Sequence, residues 1–210
     1  MLIVPQARLI HIHNPKTAGM SVNFLLKRFY PDAIEYFGLS NGIDLAHLTL
    51  EEIDRWFPAI WSLLTDDAFH SFTVVRHPVT RAISAFNWFN THIEHQNMSF
   101  MEYLAATRRL GETDCRFVHA LPQNKYIFRN GIQIPTRVLK FENIDSDLRS
   151  IFNEFQLLIP PSAILPQKNV LTNHKVPAFT DDVQELLLDI YQHDFSLFGY
   201  GRTFNDGLFS

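Results

Sequence analysis

The feature that most constrains this sequence is a strand-length apolar segment that stops at a tight polar loop and passes at once into a helical pattern. Arg8-Leu9-Ile10-His11-Ile12-His13 ends at Asn14-Pro15, and residues 14–21 read Asn-Pro-Lys-Thr-Ala-Gly-Met-Ser. Val22, Leu25, Leu26 and Phe29 then take up helical spacing. The unit recurs along the chain. Residues 33–37, 69–75 and 136–141 read as further buried strands, the first of them weakly patterned. Helical patterns cover residues 21–30, 50–64, 80–91, 145–156 and 181–192. Short buried strands alternating with helices predict an α/β fold, with a central, mainly parallel sheet flanked by helices. Such folds bind ligands beyond the carboxyl ends of their strands, which directs attention to residues 14–21 and 76–84.

Composition narrows the function classes. With 46% hydrophobic and 19% charged residues in 210, the chain is expected to form a single domain over residues 1–210. Neither a repeat nor a Gly/Ser linker divides it, and the prolines at 160, 161 and 166 read as a loop between helices. Eighteen basic residues against 22 acidic ones give a net charge of −4. That excludes a broad surface for a nucleic-acid backbone, while leaving room for a local basic pocket. One cysteine, Cys115, excludes an intrachain disulfide framework and a CxxC zinc site. No apolar run approaches the ~18–20 residues that span a bilayer. Met1 to Pro5 is too short for a signal core, so a cytoplasmic location without a membrane span is expected. Nineteen phenylalanines indicate a well-filled interior, with some left for an apolar pocket or an interface.

The loop after the first strand has the makings of an anion cradle. A strand, a tight loop and a helix start aim several backbone N–H groups at one point, and the helix dipole adds positive potential. Gly19 permits close backbone approach, Lys16 brings a full charge, and Thr17 and Ser21 offer hydroxyls. A Walker A loop needs GxxxxGK[ST]; here the lysine precedes the glycine and the loop is shorter. A capped turn with a surface lysine is the structural alternative. The second loop reads Phe-Thr-Val-Val-Arg-His-Pro-Val-Thr-Arg-Ala-Ile-Ser-Ala-Phe over residues 72–86. Arg76 stands at the strand end, Pro78 suits a first helical turn, and Ser84 follows about two turns on. A guanidinium and a hydroxyl so spaced can clamp one phosphate. Helix packing or an ion pair would be the structural use of the same residues.

Together these segments resemble the sulfotransferase family, in particular its carbohydrate (heparan-sulfate-like) branch. Pro15-Lys16-Thr17-Ala18-Gly19-Met20-Ser21 is similar to the PKTGGTS-type loop for the 5′-phosphosulfate, with Ala18 and Met20 where glycine and threonine are usual. Residues 76–86 resemble the 3′-phosphate motif R[DH]PxxRxxSxY/F, ending on Phe86. Two such motifs in the right order, each after an expected strand, are far more specific than either alone. The resemblance implies a P-loop-like three-layer fold and transfer of a sulfuryl group from 3′-phosphoadenylyl sulfate (PAPS) to an acceptor hydroxyl, releasing 3′-phosphoadenosine 5′-phosphate (PAP). It assigns Lys16, Thr17, Ala18, Gly19, Met20 and Ser21 to the 5′ side and Arg76 with Ser84 to the 3′-phosphate. It implies no metal. A small-molecule or glycan acceptor is implied, whose identity the residues leave open.

An acceptor alcohol needs a base near neutral pH, and histidine suits the task. Of ten histidines, His47 is the choice. It precedes Thr49 and Glu52, a capping-box pair, and resembles the family's H-x-T-x-x-E-[IL] segment. His13 is the reserve: His11 and His13 alternate onto one sheet face. His70 begins its strand, His77 stands where aspartate is usual, and His92 and His95 lie beyond the 3′-phosphate helix. Lys16 is expected to stabilise charge on the leaving oxygen.

Further resemblance runs through the carboxyl half. Residues 138–144 match a late strand followed by Glu142-Asn143-Ile144, with Glu142 in a structural role. Gln123 to Tyr126 resembles a mid-chain Q-N-x-Y segment near the acceptor, and Lys175 is the candidate late-loop nucleotide contact. Residues 191–200 resemble the ending Y-x-x-D-[FY]-x-x-[FL]-G-Y of a closing helix packed on the sheet. Two alternatives stand beside the sulfotransferase reading: a nucleotide-dependent kinase on a related fold, and a non-catalytic nucleotide-binding protein.

Overall fold

A computed structural model describes residues 1–93, 97–167 and 176–202. The chain opens with β1 (Leu2–Val4), a strand too short and too close to Pro5 to show a period. It turns through a 3-10 turn at Pro5–Ala7, with Arg8 left-handed at φ 46°, and returns as β2 (Leu9–His11). Then follow α1 (Gly19–Phe29), β3 (Ile34–Glu35) and a hairpin of β4 (Leu39–Ser40) and β5 (Ile43–Asp44). Asn41 and Gly42 form that hairpin's tip at φ 50° and 79°, as a tight turn matched to strand twist requires. A 3-10 turn at Leu45–His47 leads to α2 (Leu50–Trp56), α3 (Pro58–Leu64) and β6 (His70–Val75). Next come α4 (Pro78–His92), α5 (Phe100–Leu110) and 3-10 turns at Cys115–Ala120 and Gln123–Tyr126. The hairpin of β7 (Phe128–Arg129) and β8 (Ile132–Gln133), then β9 (Arg137–Lys140), α6 (Ile144–Glu154) and α7 (Asp181–Leu197) complete the chain.

The chain divides into two compact units: Met1–Val75 with Lys125–Val170, and Arg76–Asn124 with Leu171–Ser210. The first holds a five-stranded sheet in the order β3-β1-β2-β6-β9. β2 pairs β6, and β6 pairs β9, in parallel, whereas β1 is antiparallel to both its neighbours. Every strand but β1 therefore runs one way, and the mixed α/β architecture with a mainly parallel sheet is as the strand–helix alternation predicts.

Alternation along the strands sends Leu2, Val4, Leu9, Phe72 and Val74 to one face. There they meet Val22, Leu25 and Leu26 of α1 and Leu148, Ile151 and Phe152 of α6. Ile3, Ile10, Ile12 and Val75 on the alternate positions are buried too, as strands of a parallel sheet require. Residues 50–64, which read as one helix, form two. Proline disfavours helical backbone in the residue before it, and Phe57 is bent out of the helix at φ −129°.

The second unit is helical. Val79, Ile83, Phe86 and Phe89 of α4 pack with Phe100, Tyr103 and Leu104 of α5 and Val183, Leu187, Tyr191 and Phe195 of α7. The closing helix, expected on the sheet, thus spends its apolar face in this helical core. The phenylalanine surplus has much of its use here, in ring pairs such as Phe89 with Phe117 at 5.2 Å. α5 escaped the periodicity reading although its start carries a clear signal: Ser99 and Glu102 form a reciprocal capping box.

Leu26 is fully buried between α1 and the sheet. Leu26→Ala is expected to destabilise the protein by about 2–5 kcal/mol, measured as a lower denaturant midpoint with an unchanged slope.

Candidate functional site

The first unit builds the loop from buried ties outward. Ile12 still donates to Phe72 O (2.9 Å), but the chain leaves the sheet at Asn14. Asn14 is fully buried and its Nδ2 donates to Val74 O (2.8 Å), while Thr73 Oγ1 donates to Ile12 O (2.8 Å). Thr17, 1% exposed, turns its hydroxyl inward to Asn14 O (2.7 Å). Its role here is to close the loop. Lys16 and Ala18 are both left-handed, at φ 65° and 66°. Ala18 is the N-cap of α1 and brings no capping side chain, and the helix ladder begins with Val22 N donating to Ala18 O. The first-turn N–H groups of Gly19, Met20 and Ser21 thus precede the ladder, as an anion-accepting helix start requires.

Gly19 is required for a reason the sequence does not disclose. A Cβ there would stand 1.9 Å from His13 Cδ2 and 2.1 Å from His13 Nε2. The glycine makes room for an imidazole. The His13 ring in turn lies 4.6 Å from that of His47, centroid to centroid, and 5.9 Å from that of His11. The loop, the reserve histidine and the chosen histidine are thereby brought together.

His47 closes the 3-10 turn at Leu45–His47, with 13% of its side chain exposed, and its Nδ1 meets Asp44 Oδ2 at 2.8 Å. Asp44 also accepts from Ala46 N (2.9 Å) through its other oxygen, so the carboxylate is held on both sides. The carboxylate can only accept, so His47 carries its proton on Nδ1 and keeps Nε2 as the basic nitrogen. Burial pulls the His47 pKa below its ordinary value, Asp44 opposes the shift, and the nearby Lys16 charge adds to it. Sequence reasoning passed over Asp44; the signal was an aspartate three residues before a histidine across one turn. The expected capping box follows, with Thr49 N donating to Glu52 Oε2 (2.8 Å) and Glu52 N to Thr49 Oγ1 (3.3 Å).

Behind His13 runs a buried polar chain. His11 Nδ1 meets Asn23 Oδ1 at 2.6 Å, and Asn23 Nδ2 donates to Glu35 Oε1 (3.0 Å). Asn23 therefore accepts at Oδ1, and His11 holds its proton on Nδ1. Burial lowers the His11 pKa to about 3, so the ring stays neutral. His11 stacks on Phe72 at 4.8 Å and is a core histidine.

The second unit positions the other motif. Arg76 Nε donates to Thr80 Oγ1 (3.2 Å), and its main chain is bonded at both ends by the Gln123 side chain. Gln123 is fully buried, with its carboxamide paired to that main chain. Ser84 is buried within α4 at 7% exposure. Arg81 is fully buried and donates to Leu121 O (2.8 Å). His77 caps α4: its Nδ1 accepts from Val79 N (3.3 Å), leaving Nε2 to donate to Gly201 O (3.2 Å). Glu142 lies in the 3-10 turn Phe141–Asn143 after β9, and Lys175 lies outside the described residues.

Fold and site define an α/β protein with a tight strand–loop–helix connection at residues 14–21 and a histidine–carboxylate pair one imidazole away. The family model described as Sulfotransferase family matches residues 1–201 of the chain, across both units. The chain belongs to the sulfotransferase family, and its activity class is transfer of a sulfuryl group. A crystal structure of a sulfotransferase from Alicyclobacillus acidocaldarius is similar at 14% identity and a TM-score of 0.47, over 90% of this chain and 92% of that one. No curated protein matches the sequence. Among the described residues, no helix is long and apolar enough to cross a membrane.

Two tests follow from the loop and the buried histidine. A left-handed alanine is strained by roughly 1 kcal/mol, so Ala18→Gly is expected to raise thermal stability, while Gly19→Ala, driven into His13, lowers it by more. His11 binds no proton in the folded state until near pH 3 but takes one near 6.5 when unfolded. Its contribution is therefore complete above pH 6.5 and declines as pH falls towards 3. The slope from this one group approaches about 1.4 kcal/mol per pH unit, and unfolding curves of His11→Gln should show a shallower acid limb than the parent protein.

Proposed function

We propose that the protein transfers a sulfuryl group from PAPS to an acceptor hydroxyl of a carbohydrate or other small alcohol, with His47 as general base. The observation that carries this reading is the His47–Asp44 pair at 2.8 Å, in the same compact unit as the 15–21 loop and under the influence of the Lys16 charge. His47 Nε2 takes the acceptor proton. Asp44 fixes the tautomer and steadies the imidazolium that forms, a role well served by a partly buried carboxylate at Nδ1. The acceptor oxygen forms a bond to sulfur as the bond from sulfur to the phosphate oxygen breaks, in line. PAP leaves with the electron pair. Lys16 stabilises that developing charge, together with the first-turn N–H groups of α1. Lys16, Thr17, Ala18, Gly19, Met20 and Ser21 form the 5′ side of the donor site; Arg76 and Ser84 take the 3′-phosphate. Thr17 and Gly19 contribute by shaping the loop, Thr17 through Asn14 and Gly19 by admitting His13. No metal is required by this route. The compartment we infer is the cytoplasm.

The test is PAPS-dependent sulfation of an acceptor panel, followed as PAP release. Lys16→Ala, Arg76→Ala and His47→Ala are each expected to lower activity by roughly 10²-fold or more. The acid limb of the parent's pH profile should lie below the ordinary histidine value, as the lowered His47 pKa requires. Full activity in any of the three variants overturns that residue's assignment. Stabilisation by ATP in preference to PAP in a thermal-shift assay overturns the donor.

A further inference from the structure

Gln123 makes an unusual pair of bonds. Its Oε1 accepts from Arg76 N (2.9 Å) and its Nε2 donates to Arg76 O (2.8 Å). One carboxamide thus pairs with the main chain of a single residue on both sides, as a neighbouring strand would. The two peptide planes flanking Arg76 are fixed, and with them the direction of its Cα–Cβ bond. At the far end Thr80 Oγ1 accepts from Arg76 Nε (3.2 Å) while donating to His77 O (3.1 Å).

Gln123 is itself held from behind. Asp194 of α7 is fully buried, and its two oxygens are divided between consecutive N–H groups: Gln123 N on Oδ2 (2.8 Å) and Asn124 N on Oδ1 (3.0 Å). One turn earlier on α7, Tyr191 donates to Ala120 O (2.7 Å), and Arg81 donates to Leu121 O (2.8 Å). Four polar groups of the 120–124 segment are therefore fixed by side chains of α4 and α7. Burial pushes the Asp194 carboxyl up, against the two N–H bonds and the Arg81 charge, which favour the anion. A buried carboxylate and a buried primary amide are costly ways to fill space that leucine or methionine would fill well. Their use has to be in what they hold, and what they hold is Arg76.

We propose that Asp194 and Gln123 are positioning residues that set Arg76 for the donor's 3′-phosphate. The inference rests on the assignment of Arg76 under the proposed function. Phosphate recognition by a guanidinium depends on direction, so a small tilt of the Arg76 main chain weakens binding without removing a charge.

The experiment is calorimetric titration of the intact protein with PAP, alongside steady-state kinetics. Gln123→Met, which keeps the volume and loses both bonds, is expected to raise PAP Kd and donor KM about tenfold, with acceptor KM unchanged. Asp194→Asn, which leaves one amide without its acceptor, is expected to act in the same direction, and it serves if Gln123→Met does not fold. The decisive comparison is the double variant. In the Arg76→Ala background, Gln123→Met or Asp194→Asn should weaken PAP binding no further, because positioning acts only through the arginine. Unchanged PAP affinity in Arg76→Ala overturns the function of Arg76. Weakened affinity in Arg76→Ala with parental affinity in Gln123→Met and Asp194→Asn overturns the positioning role alone. Additive losses in the double variants also overturn it.

Discussion

The structure of the first unit depends on how the chain leaves the sheet after β2. Parallel strands cannot be joined by a tight turn, so a strand that ends beside its parallel neighbour must release its backbone groups there. Three bonds manage the exit. Ile12 N keeps the sheet bond to Phe72, Thr73 Oγ1 takes up Ile12 O, and Asn14 reaches across to Val74 O. The loop starts from a buried base tied to the neighbouring strand. That helps to hold Lys16 and Ala18 in left-handed backbone, a conformation that costs a residue with a Cβ about 1 kcal/mol or more. A catalytic or binding loop gains from such rigidity, because an anion is recognised by several N–H groups only when they are already aimed.

The second unit solves a similar problem by other means. Arg76 follows the last residue of β6 directly and begins a new compact unit, so no ladder continues to hold it. A side-chain amide does so instead, backed by a carboxylate on α7. Both units therefore use buried polar side chains where a strand ends. Asn14 serves the first and Gln123 with Asp194 the second, and all three are fully buried. Each has partners from the main chain, which is the condition under which burial of a polar group is tolerable.

Much of this was legible in the sequence. Strand–loop–helix units at residues 8–30 and 69–92 carried their signals in short range: apolar strands, a Pro or Gly at the turn, and helical spacing after it. What escaped was either too short or too long in range. β1 is three residues and β3 two, below any period. The split at Phe57 was written in Pro58, whose effect on the preceding residue competes with a continuous apolar stripe from Ile53 to Leu64. Among the site residues, His47 could be chosen from local pattern, and Asp44 three residues earlier could have been. The Gly19–His13 contact, the Asn23–Glu35 chain and the grip of Gln123 on Arg76, 47 residues away, belong to tertiary packing and have no local signature.

Two histidines of the first unit, His11 and His47, differ in the chemistry of the partner at Nδ1 more than in burial. His11 is buried and His47 largely so, and both present Nδ1 to an oxygen acceptor. The acceptor of His11 is a carboxamide, which supplies a dipole and no charge; protonation would leave an uncompensated cation in the core, and the pKa falls to about 3. The acceptor of His47 is a carboxylate, which offsets the same desolvation when the ring is charged. An imidazole with a carboxylate behind it can accept a proton in the transition state and give it up afterwards. One with an amide behind it can only hold its place, and His11 holds it under His13, with Phe72 stacked on its ring.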